Sequence, residues 1–247
     1  MQEAHSLSAN KVFSEARMSV RFHRLLNGAL KLLFWILLRC EVQGLQNVPL
    51  SEPMLIIVNH INFLDAVVTA VVLPRDMYLM TKIETFNAPV FNWVIWWYGV
   101  FSVRRGEVDR MALRQALNIL EGGGVLLVAP EGTRSGDGLM QQARNGVAYL
   151  ATKADVPILP VAVWGVEEFW KRFPRLKRTK VNVRVGVPFT FQASESRLRR
   201  NELTQMTEEA MLRLADLLPP EYRGYYSEEL PTSWEYIEPF HLRSGGG

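Results

Sequence analysis

The stretch Met54-Leu-Ile-Ile-Val-Asn-His-Ile-Asn-Phe-Leu-Asp-Ala-Val-Val-Thr-Ala-Val-Val-Leu73 joins two different patterns. Residues 54–58 form a continuous apolar run rich in β-branched side chains, which is typical of a strand buried on both faces. Residues 65–73 are again apolar, and Pro74 after them is a stop signal for a helix. The segment therefore predicts a buried strand followed by a helix.

The same alternation continues along the chain. Further strands are predicted at 77–80, 100–103, 125–128, 158–164 and 181–187, and helices at 89–98, 107–121, 141–153 and 203–218. Strands that alternate with helices predict an α/β fold with a mostly parallel sheet flanked by helices. We expect residues 1–40 to be an N-terminal tail and amphipathic helix, 41–220 the domain itself, and 221–247 a C-terminal tail.

Composition limits the chemistry of this fold. The 247 residues carry 28 Lys and Arg against 25 Asp and Glu, a formal net charge of +3, and 48% of them are hydrophobic. A single cysteine, Cys40, excludes an internal disulfide and a cysteine-rich zinc site, and four histidines leave little room for a histidine-built metal centre. We therefore expect no metal and no cofactor. The sequence lacks three motifs of common enzyme classes: Gly-Lys-Ser/Thr, the dinucleotide-binding glycine pattern and Gly-x-Ser-x-Gly. This argues against kinases, dehydrogenases and α/β-hydrolases.

The N-terminal segment is apolar and basic. Its apolar run, 25–38, is about 14 residues long, whereas a membrane-spanning helix needs about 20. Basic residues border or interrupt the run at Arg17, Arg21, Arg24, Lys31 and Arg39. This favours a helix lying on an anionic membrane surface over a helix packed on the domain, and both interpretations stay open. We expect a peripheral or monotopic protein on the cytoplasmic face of a membrane.

Two titratable residues, His60 and Asp65, follow the first strand of the segment quoted above. A histidine with a pKa of about 6.5 can accept a proton at neutral pH, and an aspartate bonded to its other nitrogen would stabilise the imidazolium. A five-residue step within one helix would leave the pair about 140° apart. They can meet only if His60 lies on the turn before the helix. A surface histidine beside a helix-capping aspartate is the alternative.

Anion-binding residues follow two other predicted strands. Arg104 comes after 100–103, and Glu131-Gly-Thr-Arg-Ser135 comes after 125–128. Gly132 would let backbone amides approach a ligand, and Arg134 could hold a phosphate in two parallel hydrogen bonds. Ligands bind beyond the carboxyl ends of parallel strands, so these residues predict a base beside an anion site. An ordinary polar turn with an exposed arginine is the alternative.

Four segments in order resemble the lysophosphatidic acid acyltransferase family of glycerolipid acyltransferases. They are Asn59-His60-x4-Asp65, Gly99-Val-Phe-Ser-Val-Arg104, Pro130-Glu-Gly-Thr-Arg-Ser135 and Val156-Pro-Ile-Leu-Pro160. The resemblance implies a glycerol-3-phosphate acyltransferase-like fold. It also implies transfer of a fatty acyl chain from acyl-CoA or acyl carrier protein to the free hydroxyl of a lysophospholipid, foremost 1-acylglycerol-3-phosphate, which gives phosphatidic acid.

The resemblance also implies roles for single residues. His60 would be the general base and Asp65 its orienting partner, and Pro157 and Pro160 would shape the floor of the pocket. Residues that would bind the acceptor are Lys82, Arg104, Glu131, Gly132, Thr133 and Arg134. Asn92 and Ala129 stand where the family usually has glycine and phenylalanine, and these departures leave the head-group and acyl specificity open.

Two clusters concern substrates and partners. An aromatic cluster could line an acyl channel or lie at the lipid interface, or be ordinary core: Phe91, Trp93, Trp96, Trp97, Tyr98 and Phe101. A basic cluster could bind lipid headgroups, CoA phosphates or an acidic carrier protein, or be a solvated loop: Lys171, Arg172, Arg175, Lys177, Arg178, Lys180 and Arg184. No nucleic-acid-binding module is recognised, and we expect no nucleic-acid partner.

The alternatives to this acyltransferase are an enzyme for another lyso-acceptor or alcohol, a hydrolase, and a non-enzymatic lipid-binding protein on the same scaffold.

Overall fold

The computed structural model describes residues 28, 32–34, 36–62, 64–82, 101–103, 110–175, 177–192, 199–228 and 231–240. The strands in these ranges are β1 (Leu38–Gln43), β2 (Met54–Val58), β3 (Tyr78–Lys82), β4 (Phe101–Val103), β5 (Val125–Val128), β6 (Ile158–Trp164), β7 (Thr179–Val185), β8 (Phe189–Phe191) and β9 (Ile237–Pro239). The α-helices are α1 (Leu64–Val72), α2 (Arg110–Glu121), α3 (Gly146–Ala154), α4 (Phe169–Arg172) and α5 (Arg200–Asp216). The predicted helix 89–98 and the aromatic cluster before Phe101 lie outside the described residues.

The strands form one mixed sheet. Its order is β1-β7-β6-β2-β5-β3-β4, and β8 pairs with both β6 and β9. The pairs from β6 through β2, β5 and β3 to β4 are all parallel, as is β1 with β7. The pairs β6–β7, β6–β8 and β8–β9 are antiparallel. The parallel centre agrees with the alternation of strands and helices in the sequence, and the antiparallel part completes it on one side.

Helices cover both faces of the sheet. One face packs against α1, with Val68 buried among strand residues such as Ile56. The other face packs against α2, α3 and α5 through Ala116, Leu150 and Leu214. Because both faces are covered, the central strands are apolar along their whole length. This is why the sequence predicts β2, β5 and β6 with their observed bounds.

The N-terminal boundary of the domain differs from the prediction. Residues 32–34 and 36–37 are helical, but Leu38 begins β1, so the predicted helix does not extend to residue 40. Leu38 is buried, and burial then alternates along β1 as it does in a strand with one covered face. The alternation Leu-Arg-Cys-Glu-Val-Gln is visible in the sequence and is the strand signal that the preceding apolar run conceals.

The predicted C-terminal tail contains ordered structure that packs on the domain. Pro220–Tyr222 and Gly224–Tyr226 form two 3-10 turns, and β9 pairs with β8. Tyr226 is buried in the core cluster on the α5 face of the sheet. Within the described ranges, none of the helices combines the length and the apolar character that crossing a membrane requires.

Candidate active site

The candidate site lies at the carboxyl ends of the parallel strands. Strand register places Ile57 opposite Val128, Leu79 opposite Leu127, and Lys82 opposite Val103. The chain segments that follow β2, β5, β3 and β4 therefore leave the sheet at nearly the same level. This confirms the common edge that the sequence predicts.

His60 and Asp65 are brought together by the turn between β2 and α1. The Nδ1 atom of His60 lies 3.7 Å from Oδ2 of Asp65. This is ion-pair distance and longer than a hydrogen bond, and Nδ1 has no hydrogen-bond partner among the described residues. The His60 side chain keeps 15% of its surface exposed, whereas that of Asp65 is fully buried. The pair thus has one accessible ring and one buried carboxylate, the arrangement that an assisted base needs.

The turn itself is held by reciprocal hydrogen bonds. The amide N–H of Asn62 donates to Oδ2 of Asp65 at 2.6 Å, and the amide N–H of Leu64 donates to Oδ1 of Asn62 at 3.3 Å. This is the logic of a capping box, in which side chains satisfy the unpaired amides at a helix start. His60 therefore lies before α1 and Asp65 in its first turn, as the spacing requires.

Burial controls the ionisation of Asp65. Desolvation raises the pKa of this carboxyl from its usual range to about 6, although the neighbouring His60 and the backbone amide of Asn62 oppose the shift. Asp65 is therefore mostly ionised at neutral pH, but its charge is held in a poorly solvated position.

Glu131 supports the His60 turn. One of its oxygens accepts the amide N–H of His60 at 2.8 Å, and the other accepts the amide N–H of Gln141 at 2.9 Å. Its residue exposure is 3%, and burial raises the pKa of its carboxyl while the two amides oppose that shift. The predicted contact between Glu131 and an acceptor stays a prediction, since the structure uses both oxygens to hold backbone.

The rest of this motif also contacts the His60 turn. The amide N–H of Ser135 donates to the carbonyl of His60 at 3.0 Å, so both backbone polar groups of His60 are bound. Gly132 has a φ of +70°, which favours glycine. Thr133 and Arg134 are exposed beside this turn, where a ligand could reach them.

Two predicted binding residues are placed only in part. Val103 ends β4, which is three strands away from β2 and so roughly 14 Å across the sheet. Arg104 itself lies outside the described residues, and for Lys82 the described part is the backbone at the end of β3. Both expectations remain compatible with an elongated substrate along the sheet edge.

Of the two prolines in the fourth motif, Pro157 lies at the opposite end of β2 from His60. The carbonyl of Pro157 accepts the amide N–H of Leu55 at 2.9 Å, at the start of β2. Pro160 lies opposite Ile57 within the sheet. Since His60 follows the other end of β2, Pro157 borders the opposite edge of the sheet from the candidate site.

Comparison with known proteins agrees with this geometry. The sequence profile of the family described as Acyltransferase matches residues 39–164. The chain belongs to the Acyltransferase family. The match starts inside β1 and ends with β6, so it includes the strands that carry His60 and Glu131.

Several relatives of this acyltransferase domain have related names. The 1-acyl-sn-glycerol-3-phosphate acyltransferase BAT2, chloroplastic, of Brassica napus is 31% identical over 132 residues, 51% of this chain and 38% of that protein. LPAT1, chloroplastic, of Arabidopsis thaliana, which has the same enzyme name, is 27% identical over 178 residues, 70% of this chain and 49% of that protein. The human 1-acyl-sn-glycerol-3-phosphate acyltransferase alpha is 30% identical over 155 residues, 61% of this chain and 55% of that protein. These relatives confirm the family resemblance inferred from the four motifs. The chain spans about half the length of the relatives it matches.

A solved structure shares the fold. It is the 1-acyl-sn-glycerophosphate (LPA) acyltransferase PlsC from Thermotoga maritima, with a TM-score of 0.57 and 23% sequence identity over 83% of this chain and 85% of that chain. This likeness extends the shared architecture well beyond the segment that the family profile matches.

Several members of the basic cluster of the acyltransferase domain have structural partners. Arg178 donates to the carbonyl of Leu38, Lys180 pairs with Glu41 at 3.0 Å, and Arg184 donates to the carbonyl of Leu217. These contacts give the three side chains structural partners. The exposed members of the cluster are Lys171, Arg172, Arg175, Lys177, Arg178 and Lys180. Of these, Lys171 also pairs with Glu168, and Arg175 donates to the carbonyl of Lys171.

Asn59 is a site residue whose role the sequence does not reveal. Its side-chain amide donates to the carbonyl of Val163 and accepts the amide N–H of Val163, both at 2.8 Å. This doubly bonded pair extends the β2–β6 pairing by one residue and fixes the point where His60 leaves the sheet. The only signal in the sequence is a polar amide residue at the end of an apolar strand.

Proposed function

We propose that this protein is a 1-acylglycerol-3-phosphate O-acyltransferase, with His60 as its general base. The acyl donor is a thioester, either acyl-CoA or acyl carrier protein, and the product is phosphatidic acid. The observation that carries the proposal is the accessible imidazole of His60 beside the buried carboxylate of Asp65. The names of the relatives support the choice of acceptor.

The reaction needs one base and no enzyme nucleophile. His60 takes the proton from the free hydroxyl of the acceptor as its oxygen attacks the thioester carbonyl. The tetrahedral intermediate then breaks its carbon–sulfur bond, and the sulfur leaves with the electron pair. A thiol with a pKa of about 8.5 is a good leaving group, and His60 returns its proton to the thiolate. Asp65 stabilises the imidazolium between these two transfers.

The acceptor phosphate is bound beside the His60 turn in this proposal. Arg134 and Thr133 are exposed there, and Arg104 follows β4, three strands away from β2. The Oγ atom of Ser135 is buried and has no hydrogen-bond partner among the described residues, so it is one more donor that a ligand could use. Arginine binds phosphate in two parallel hydrogen bonds, which would orient the glycerol hydroxyl toward His60.

One assay separates the candidate functions. The purified protein is given acyl-CoA or acyl carrier protein donors and a panel of lysophosphatidate, lysophosphatidylethanolamine and monoacylglycerol, with products detected by mass. We expect phosphatidic acid from lysophosphatidate, and a loss of about 10²–10⁴-fold in His60→Ala. A higher product yield with another acceptor would identify that acceptor as the substrate. Release of free fatty acid in the absence of an acceptor would indicate a hydrolase. Lipid binding with no product would favour a non-enzymatic role.

The membrane partner of the proposed enzyme is an anionic lipid surface at the cytoplasmic face. In the N-terminal helical residues, Phe34 and Leu37 pack on the domain core. Their neighbours Leu32, Leu33 and Ile36 are 59%, 46% and 52% exposed. Apolar side chains exposed on a helix that basic residues border favour a helix lying in the lipid interface, which would bring the enzyme to its water-insoluble substrate.

A further inference from the structure

The segment after α5 packs against the residues that support the candidate site. We name residues 219–226 the strap and residues 139–144 the support segment. Tyr226, at the end of the strap, is 2% exposed, and its hydroxyl accepts the amide N–H of Ala143 at 3.0 Å. A side-chain hydroxyl of the strap therefore satisfies the backbone of the support segment in the protein interior.

Backbone hydrogen bonds join the same two segments. The amide N–H of Met140 donates to the carbonyl of Tyr222 at 3.1 Å, and the amide N–H of Tyr225 donates to the carbonyl of Met140 at 3.0 Å. Gly224 has a φ of +50°, and a Cβ there would collide with the Met140 carbonyl oxygen. The approach of the two segments is so close that only glycine fits.

The support segment connects the strap to His60. Gln141 lies one residue after Met140, and its amide N–H donates to Glu131 at 2.9 Å. The other oxygen of Glu131 accepts the amide N–H of His60 at 2.8 Å. Each step is a hydrogen bond from a buried or half-buried backbone amide. Leaving such an amide without a partner would destabilise the folded state.

The far side of the strap is anchored as well. The hydroxyl of Tyr222 donates to Glu167 at 2.8 Å, in the 3-10 turn that follows β6. The strap is thus fixed to the end of one central strand while it holds the support segment next to another. It is a brace between two parts of the sheet edge.

We propose that the strap is a positioning element for the catalytic turn, acting from Tyr226 through Gln141 and Glu131 on the backbone of His60. This inference rests on the proposed function, in which His60 is the base. Tyr226 touches no substrate, and it acts by keeping the support segment where Gln141 can hold Glu131. General-base catalysis depends on short donor–acceptor distances, so a small displacement of the His60 turn lowers the turnover rate.

The test compares two hydroxyl deletions in the same C-terminal region. Tyr226→Phe keeps the buried ring and removes the acceptor of the Ala143 amide. Tyr236→Phe is the matched control, because its hydroxyl bonds Gln205 on α5 at 3.2 Å, away from the support segment. Amide hydrogen exchange is followed in peptides covering 139–144 and 59–62, and kcat and acceptor KM are measured with lysophosphatidate.

The expected result is a local loosening that reaches His60. In Tyr226→Phe, exchange rises about fivefold in both peptides, and in the control it does not change. The kcat falls by about threefold to tenfold with an unchanged acceptor KM. Unchanged exchange at 59–62, or an unchanged kcat, would overturn the proposal, because a merely structural tyrosine affects stability without either change.

A double variant tests the route through Glu131. Glu131→Gln has only one side-chain oxygen, so it can accept only one of the two backbone amides. If Tyr226 acts through Glu131, then adding Tyr226→Phe to Glu131→Gln lowers kcat by less than it does in the wild type. Two independent, multiplying losses would contradict the route. If the wild-type protein transfers no acyl chain, the proposed function fails, whereas the exchange measurement still decides whether the strap holds the His60 turn.

Discussion

At the scale of single residues, the buried carboxylate of Asp65 lowers the stability of the fold while it supports His60 in the proposed reaction. Because burial raises its pKa to about 6, the folded chain holds this proton more tightly than the unfolded chain. Stability from this group is complete below pH about 4, falls as the pH rises to 6, and above that is lower by about 3 kcal/mol. Asp65→Asn removes the buried charge and should raise the free energy of unfolding at pH 8 by up to this amount, measured in urea.

The same substitution should abolish most of the activity. An amide cannot stabilise the His60 imidazolium, so kcat should fall by about a hundredfold or more. In the wild type, kcat/KM should fall as the pH drops below about 6, because the Asp65 carboxyl, whose pKa burial raises to about 6, then loses its charge. The stability prediction for Asp65→Asn has its own contrary outcome. If the gain in unfolding free energy over the wild type is smaller at pH 8 than at pH 4, the charge of Asp65 does not destabilise the fold.

Arg134 offers a second prediction at this scale. Arg134→Ala should raise the KM for lysophosphatidate by about tenfold or more with little change in kcat, since a charged hydrogen bond contributes about 1.5–3 kcal/mol. The matched control is Arg110→Ala, an exposed arginine at the start of α2. The effect should vanish with monoacylglycerol, which has no phosphate. If Arg134→Ala raises the KM equally for both acceptors, Arg134 does not bind the acceptor phosphate.

At the scale of elements, Asn59 joins β2 to β6 at the point where the site begins. Asn59→Ala leaves both the N–H and the carbonyl of Val163 unpaired in the core, which should cost about 2–5 kcal/mol of unfolding free energy. Asn47→Ala is the comparison, because it removes a single half-buried bond to the carbonyl of Val185 and should cost about 1 kcal/mol. Denaturant unfolding measures both, and equal losses would show that the pairing of Asn59 has no special weight.

Elements with strong local patterns could be predicted from the sequence, whereas elements fixed by distant contacts could not. β2, β5 and β6 are apolar runs covered on both faces, and their bounds follow from composition alone. The predicted start of α3 at residue 141 is wrong, because the amides of Gln141 and Ala143 are bound by Glu131 and Tyr226 instead of by a helix. The local sequence around residue 141 cannot predict these contacts, because Glu131 lies ten residues earlier and Tyr226 lies far along the chain.

At the scale of the whole molecule, cations that are clustered in the sequence have different structural partners. The basic residues 171–184 include Lys180 and Arg184, which lie on β7 and contact Glu41 and the Leu217 carbonyl. Lys180 and Arg184 are four residues apart and so lie on the same face of β7, where each is held by a different partner. The N-terminal helical segment combines exposed apolar side chains with cations next to it in the sequence, which makes it a candidate for membrane contact. Trp170 and Phe173, which are exposed beside Lys171 and Arg172, form a second candidate surface.

Membrane contact through the N-terminal helical segment predicts a face-specific effect. The double variant Leu33→Gln with Ile36→Gln should weaken sedimentation with phosphatidylglycerol-containing vesicles by about tenfold, because two exposed apolar side chains lose their burial in lipid. The control is Met111→Gln with Tyr149→Gln, exposed residues on α2 and α3, which cover the opposite face of the sheet. Binding should also decrease with salt and on purely zwitterionic vesicles, since the neighbouring cations require anionic lipid. Equal weakening by both double variants would show that binding depends on general hydrophobicity and would reject this segment as the membrane-facing surface.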